Sequence, residues 1–392
     1  MDTLIDIYGR LQKKDTVNNC YYCSSSVEVP FKPGEARHFI EEYFKKDGKD
    51  ALCNEIKNLS IMRCEHMRSL FLLGIHVYDN VGKIKSAINN FTDKQEDKAK
   101  EQDLKNGGIE YRKEKCRNRF LYMWYLICLY HDVGYLYEKP KKPLSTAAIK
   151  SLDKQVNDLL LTIQHNIPGI PLPLVNNASH YYKKMIYCPY FYHNTHIDHG
   201  IIGGVKLYNT LEKLHLSATV KEDSYNNNLY WGKPIFDNII IPVAWTIIVH
   251  NIWTPFKGSA DAYKYIACGL PELVLPKRKP IITLTANPLL FLLSVLDTLE
   301  PVKMFVGSSL KESKIRQEVE NLFFRIAISY KENSLFFNID SSQFCMCNCK
   351  FINTDISKAL AYYKKLENNL KYLSSDTFNV CCTKSALKLK FE

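Results

Sequence analysis

The sequence predicts an all-α protein: a helical bundle with a small C-terminal β-hairpin and helix. Three observations carry this. Apolar residues recur at three- and four-residue steps through several long stretches, the spacing of one helix face. The longest apolar runs, residues 120–130, 239–249 and 288–296, have the length of buried helices and fall short of the ~20 residues a bilayer span needs. Alternation with period two is confined to one segment near the C-terminus.

Residues 56–78 carry Leu59, Met62, His66, Leu70, Leu73 and Val77 on one stripe, a long amphipathic helix. Residues 120–131 are apolar nearly all round, which suits a helix at the centre of a core. Asp198 precedes Ile201, Ile202, Val205, Tyr208, Leu211 and Leu214 and reads as the N-cap of another helix. Residues 240–251 form a further buried helix, with Pro242 placed near its first turn, where proline is tolerated. Asn287 and Pro288 open the next as cap and first-position proline, and Pro301 ends it after Glu300. Gly200, Gly203 and Gly204 fall inside a helix and suit close helix packing. Residues 93–119 are a mixed-charge run around Gly107-Gly108, a helical excursion or a flap. Residues 334–352 alternate around Asp340-Ser341-Ser342 as a hairpin. A last helix carries Ile356, Leu360, Tyr363, Leu366 and Leu370. The expected organisation is an N-terminal segment of unassigned role (1–50), a domain over 51–330 with its charged insertion at about 93–119, and an appendage over 331–392.

The chain has 392 residues, is 46% hydrophobic and 24% charged, and carries 52 Lys and Arg against 41 Asp and Glu, a net charge of +11. That apolar content excludes disorder as a class. An acid at position 2 and the lack of a long apolar run at the start argue against a secretory signal. Thirteen cysteines, an odd number spread along the chain, argue against a disulfide framework. A cytoplasmic location without membrane association is expected. The positive balance is explained first by a solvated lysine surface and only weakly indicates an anionic partner.

The chemistry concentrates where polar residues interrupt apolar helices. His131-Asp132 ends the most buried stretch, in LYHDVGYLYE. His66 lies inside an apolar face, His199 in the first turn of its helix, His250 at the end of a buried helix, and Asp297 within NPLLFLLSVLDTLEP, where a lone carboxylate is costly. Each singly could be a satisfied core residue. A shared metal ion explains them together, since imidazole and carboxylate suit Mn, Fe, Co, Ni or Zn, and carboxylate also suits Mg.

The order His66, His131-Asp132, His199-Gly200, His250, Asp297 resembles the HD-domain superfamily of metal-dependent phosphohydrolases. The local segments EHMRSLFLLG, YHDVGYLYE, DHGIIGG, IIVHN and LLFLLSVLDTLEP carry the likeness, over roughly residues 59–303. It implies an HD-domain helical bundle, with His66, His131, Asp132 and Asp297 as ligands of a primary metal. His199 and His250 would be ligands of a second ion or contacts for substrate phosphates. The family's metal activates water and neutralises phosphoryl charge. Departures from the pattern are Tyr135, where many cyclic-dinucleotide phosphodiesterases carry lysine, and the Tyr135-Leu136-Tyr137-Glu138 segment, where many deoxynucleotide triphosphohydrolases carry a different one. Both leave the substrate class open.

Glu138 is a candidate proton shuttle. In residues 179–200, aromatics mix with Lys183, Lys184, His193 and His196, a candidate nucleotide wall, with Tyr135 beside it. Lys139, Lys141 and Lys142 are weaker phosphate candidates. Arg63 and Arg68, five residues apart, cannot both face the metal. Cys20, Cys23, Cys345, Cys347 and Cys349 could form a structural zinc site, or be small half-buried residues.

The expected function is a metal-dependent phosphohydrolase on a nucleotide, the deoxynucleoside triphosphate type first, with one or two divalent ions per chain. Alternatives are a phosphodiesterase or nuclease acting on cyclic nucleotides or single-stranded nucleic acid, or a non-catalytic nucleotide sensor. Homo-oligomerisation is left open.

Overall fold

A computed structural model of the chain describes residues 2–8, 55–56, 58, 60–105, 116–138, 145–166, 199–219, 233–251, 257–258, 260–267, 271, 274, 282–305, 314, 317, 323, 325–339, 356–373, 378–382 and 386–392. Helices dominate: α1 (Ile61–Asn80), α2 (Gly82–Lys105), α3 (Cys116–Tyr130), the short α4 (Tyr135–Glu138), α5 (Thr146–Asn166), α6 (His199–Thr219), α7 (Lys233–Val249), α8 (Ala260–Ala267), α9 (Pro288–Leu299) and α10 (Ile356–Leu370). The strands are β1 (Asp2–Thr3), β2 (Ile326–Lys331), β3 (Ser334–Ile339), β4 (Phe378–Cys382) and β5 (Leu387–Phe391).

Helix α7 is the hub. Every residue from Ile239 to His250 is buried, as its all-apolar sequence requires. It packs against α2, α3, α5, α6 and α9. Its start differs from the expectation. The helix begins at Lys233, so Pro242 lies in its interior and Pro234 is the first-turn proline. In KPIFDN, Lys233, Asp237 and Asn238 flank the apolar residues and mask the helix onset, and proline's missing N–H is tolerated because the surrounding helices hold α7 in place. Most of the charged run is likewise helical: residues 93–105 continue α2, whose Thr92, Gln95, Glu96 and Ala99 are buried, and residues 116–119 open α3. The buried guanidinium of Arg119 on α3 reaches Asp93 and Glu96 across the helix pair.

The all-α expectation is corrected to a mostly helical protein with an antiparallel five-stranded sheet of order β1-β2-β3-β5-β4. The hairpin is also displaced. Residues 334–339 pair on one side with β2, through a turn at Glu332-Asn333, and on the other with β5. Over Ser334–Phe337 both edges of β3 are filled; the second half of the expected hairpin, residues 343–352, lies outside the described residues. Glu332 adopts φ 55° at this turn. Asp2 and Thr3 pair with Ile328 and Ala327, so the two ends of the chain share one sheet. Phe291 of α9 packs edge-on against Phe378 at 4.9 Å and lies 6.5 Å from Phe391, joining the sheet to the helical core. Leu4, Ile7, Tyr363 and Phe391 belong to the same core as the central helices.

Close glycine contacts set the approach of α6. A Cβ on Gly203 would stand 2.5 Å from the Tyr130 carbonyl oxygen, and one on Gly134 would stand 1.9 Å from that of His199. Both contacts are with backbone, which cannot rotate away, and the second is the closer. Gly134→Ala is therefore expected to destabilise the protein by roughly 3 kcal/mol, the upper end of overpacking costs. Urea denaturation checks this, and a midpoint equal to wild type would refute the close approach.

Candidate metal centre

The polar residues singled out in the sequence are delivered by the ends and faces of the central helices. His66 sits on the buried face of α1 with Met62, Met67, Leu70 and Leu73. Helix α3 ends at Tyr130, and the chain turns through residues 131–134, with Val133 N–H donating to Tyr130 O at 3.1 Å and Tyr135 N–H to Asp132 O at 3.1 Å. That turn presents His131 and Asp132 together. Asp297 lies in the last turn of α9, His199 at the start of α6, and His250 just past α7. All are buried or nearly so, His131 completely.

His66, His131 and Asp297 form a group whose ligand atoms lie within 4.8 Å of one another, and it could hold a metal ion. His66 Nε2 is 3.1 Å from Asp297 Oδ1 and 3.2 Å from His131 Nε2, and His131 Nε2 is 3.8 Å from Asp297 Oδ1. The outer nitrogens are occupied elsewhere. His66 Nδ1 lies 2.5 Å from Glu300 Oε2, an acceptor, and His131 Nδ1 lies 3.0 Å from Cys128 O. Each Nδ1 therefore carries a hydrogen, and in the neutral rings both Nε2 lone pairs face the same small space. Two lone pairs and a carboxylate oxygen at these distances repel unless a positive species sits among them. A proton or a divalent cation meets that requirement, so the residues fit a metal.

Around this group stand Asp132, His199 and His250. Asp132 Oδ1 is 3.5 Å from His131 Nε2 and 3.9 Å from His199 Nε2, while Oδ2 accepts a hydrogen bond from Arg63 at 2.9 Å. His250 Nδ1 donates to Ile247 O at 2.6 Å, leaving its Nε2 as an acceptor. The His250 ring lies 5.8 Å from that of His131 and 5.2 Å from that of His199. Asn251 Nδ2 is 2.9 Å from His199 Nε2. Tyr135 stacks on His199 with centroids 3.7 Å apart, and the Arg63 guanidinium caps the other side of the stack, 3.3 Å from the Tyr135 centroid. Lys303 Nζ contacts Asp297 Oδ2 at 2.6 Å from a half-exposed position.

Electrostatics separate the imidazoles. Burial alone would depress the His66 pKa, but Asp297 and Glu300 overcome it and raise it to about 9. Burial holds His131 down at about 4, and His250 likewise, with His199 adding to the second. Burial disfavours the charged form of Asp132 too, yet His131, His66 and Arg63 hold its pKa below the usual carboxylate range. Asp297 is also held well below, by Lys303 first and then His66, against its burial.

A pH dependence follows, with the sign set by each shift. The raised pKa of His66 contributes stability to the metal-free protein that is complete below its unfolded value of 6.5 and lost as pH rises through about 9. The lowered values of His131 and His250 act oppositely, costing stability as pH falls from 6.5 toward 4, because the unfolded chain takes up the protons. Chelator-treated protein should therefore have its highest Tm near neutrality. A metal must displace the His66 proton, so binding should release a proton and tighten with pH over the same upper window. Calorimetry in buffers of different ionisation enthalpy counts that proton, and binding without proton release near neutral pH would contradict the assignment.

The structure thus brings together His66, His131, Asp132, His199, His250, Asp297 and Tyr135. Of the two arginines, Arg63 faces the centre and Arg68 pairs outward with Glu65 at 3.9 Å. Glu138 ends α4, but its side chain lies outside the described residues, as do Lys183, Lys184, His196 and Cys20, Cys23, Cys345, Cys347 and Cys349. The sequence marks Glu300 only as the end of its helix. Its signal was a carboxylate closing an all-apolar helix before proline, in DTLEP. No family model, curated protein or solved structure matches the chain. Among the described residues, no helix is long and apolar enough to cross a membrane.

Proposed function

We propose that the chain is a metal-dependent phosphohydrolase acting on a nucleotide, with a deoxynucleoside triphosphate the first substrate class to test. The observation that carries the reading is the convergence of His66 Nε2, His131 Nε2 and Asp297 Oδ1, with the outer nitrogen of each imidazole already bound to a carboxylate or carbonyl. A divalent ion held there would supply an activated water and positive charge for phosphoryl oxygens. The chain's own groups do the rest. His250 and His199 border the same space; with Nδ1 committed to Ile247 O, neutral His250 offers a lone pair at Nε2, which can accept a hydrogen bond from water or a protonated phosphate oxygen. Arg63 orients the Asp132 carboxylate and lies flat on Tyr135, whose ring is stacked on His199. An arginine and a lysine paired to the carboxylates of the centre favour an anionic ligand. The reading rests on this donor set together with the order of motifs in the sequence.

The test is a panel of nucleoside mono-, di- and triphosphates, cyclic nucleotides and short single-stranded oligonucleotides, each with Mn, Mg, Co or Zn. Products resolved by chromatography identify the bond: phosphate, pyrophosphate, triphosphate and nucleoside monophosphate are all distinguishable. Release of triphosphate supports the first reading. Cleavage restricted to cyclic nucleotides or oligonucleotides replaces it with a phosphodiesterase, and no turnover of any member with metal bound overturns catalysis.

A further inference from the structure

We propose that Glu300 is a positioning residue that makes His66 a metal ligand, an inference that rests on the metal reading of the centre. Glu300 is completely buried at the end of α9, where its N–H donates to Leu296 O at 2.8 Å and its backbone turns extended ahead of Pro301. Its carboxylate is fixed from both sides. Oε1 accepts the Val302 N–H at 2.9 Å, and Oε2 accepts the Lys303 N–H at 3.1 Å. Oε2 also receives His66 Nδ1 at 2.5 Å. These backbone donors belong to the 3-10 turn Pro301–Phe305, which packs on α1 itself. The carboxylate therefore cannot swing away from the imidazole without breaking the turn that follows it.

A neutral imidazole has one hydrogen and one lone pair, on opposite nitrogens. An acceptor-only partner at Nδ1 forces the hydrogen there and leaves the lone pair at Nε2, facing Asp297 and His131. Asp297 and Glu300 lie three residues apart, so one helix end supplies a ligand and the group that aims a second ligand at the same point. The contrast with His131 is informative, because a backbone carbonyl, that of Cys128, fixes its tautomer and no side-chain substitution can remove it. His66 is the imidazole of the pair whose orientation depends on a side chain.

Glu300→Gln keeps the size and removes this logic. An amide has one acceptor oxygen and one donor nitrogen, and three N–H groups converge here. Either the amide nitrogen faces the backbone donors, or it donates to His66 Nδ1 and moves the imidazole hydrogen to Nε2, where a metal cannot bind. Partners of this kind are typically worth about 10–100-fold in metal affinity.

The test uses the full chain, Zn as the probe, and two readouts besides turnover. Zinc titration of Glu300→Gln should give a Kd raised about 10–100-fold over wild type. In wild-type protein labelled with 15N-histidine, His66 should be protonated at Nδ1 and zinc-bound at Nε2. A folded variant that binds zinc as tightly as wild type would overturn the role, reducing Glu300 to a cap of its 3-10 turn. If the variant does not fold, the wild-type spectrum decides, and zinc on Nδ1 of His66 overturns the proposal. Wild-type protein that takes up no zinc overturns the metal reading and this inference with it. Normal zinc uptake without any turnover removes only the catalytic reading.

Discussion

Asp297→Ala is expected to leave the centre without stoichiometric metal and to lower turnover by about 10³-fold or more, the scale of losing a preorganised charge at a reacting group. Among the three atoms that converge on one point, Asp297 Oδ1 is the only anionic donor. Without it, His66 and His131 remain as two imidazoles, one of them holding a proton through Glu300 and the other buried and neutral. Neither offsets the charge of a divalent cation. The fold should tolerate the change, because the partner that Asp297 Oδ2 leaves behind, Lys303, is half exposed and returns to water. Lys303→Ala is the matched control: it removes the same ion pair and keeps the ligand. Elemental analysis of the two purified variants separates them. Asp297→Ala protein with one metal per chain and near wild-type turnover would sink the three-atom centre.

Much of this centre was legible because the fold spends apolar surface around it. His66 on an apolar stripe, His131-Asp132 closing an apolar helix and Asp297 inside LLFLLSVLDTL each break a pattern that burial otherwise enforces. The helix phase then chose between Arg63 and Arg68, which spacing alone did not: Arg63 stands one turn from His66 and reaches across to Asp132. Glu300 escaped because a polar residue before proline is what any helix end looks like, and its role depends on Val302 and Lys303 turning back toward it. The sheet escaped for a different reason. Its strands are two to six residues long, and Asp2 meets Ile328 across almost the whole sequence. Period two cannot be established over so few residues, and pairing at that separation leaves no local trace. Alternation is visible in residues 334–339, whose partners among the described residues are β2 and β5. Likewise Pro242 marks a first turn only for a helix that starts at residue 240; once Lys233–Asn238 joins α7, the proline becomes internal.

His250→Ala should separate metal binding from turnover. His250 Nδ1 is committed to Ile247 O at 2.6 Å, so its Nε2 is an acceptor when neutral, and burial keeps it neutral with a pKa of about 4. Among the described residues it is not one of the three whose ligand atoms lie within 4.8 Å of each other. It stands behind them, its ring 5.8 Å from that of His131. His199 is similarly set back, with Asn251 Nδ2 2.9 Å from its Nε2 and Tyr135 stacked on its face. In this arrangement the primary ion does not need either residue, and the expected result is a protein that keeps about one metal per chain. Turnover should fall by about 10²-fold or more, the scale of losing a positioned proton acceptor, because the Nε2 lone pair of neutral His250 can accept from water but not from an ionised phosphate oxygen. His199→Ala should show the same split, with an added rise in KM, because it also removes the surface on which Tyr135 and Arg63 are stacked. Metal counting and steady-state kinetics on the two variants read both effects. Loss of one metal from a wild-type content of two would instead make these imidazoles ligands of a second ion, with Asp132 between the pair. Unchanged metal and unchanged turnover in both variants would confine the chemistry to His66, His131, Asp132 and Asp297 and leave His250 as a packed core residue.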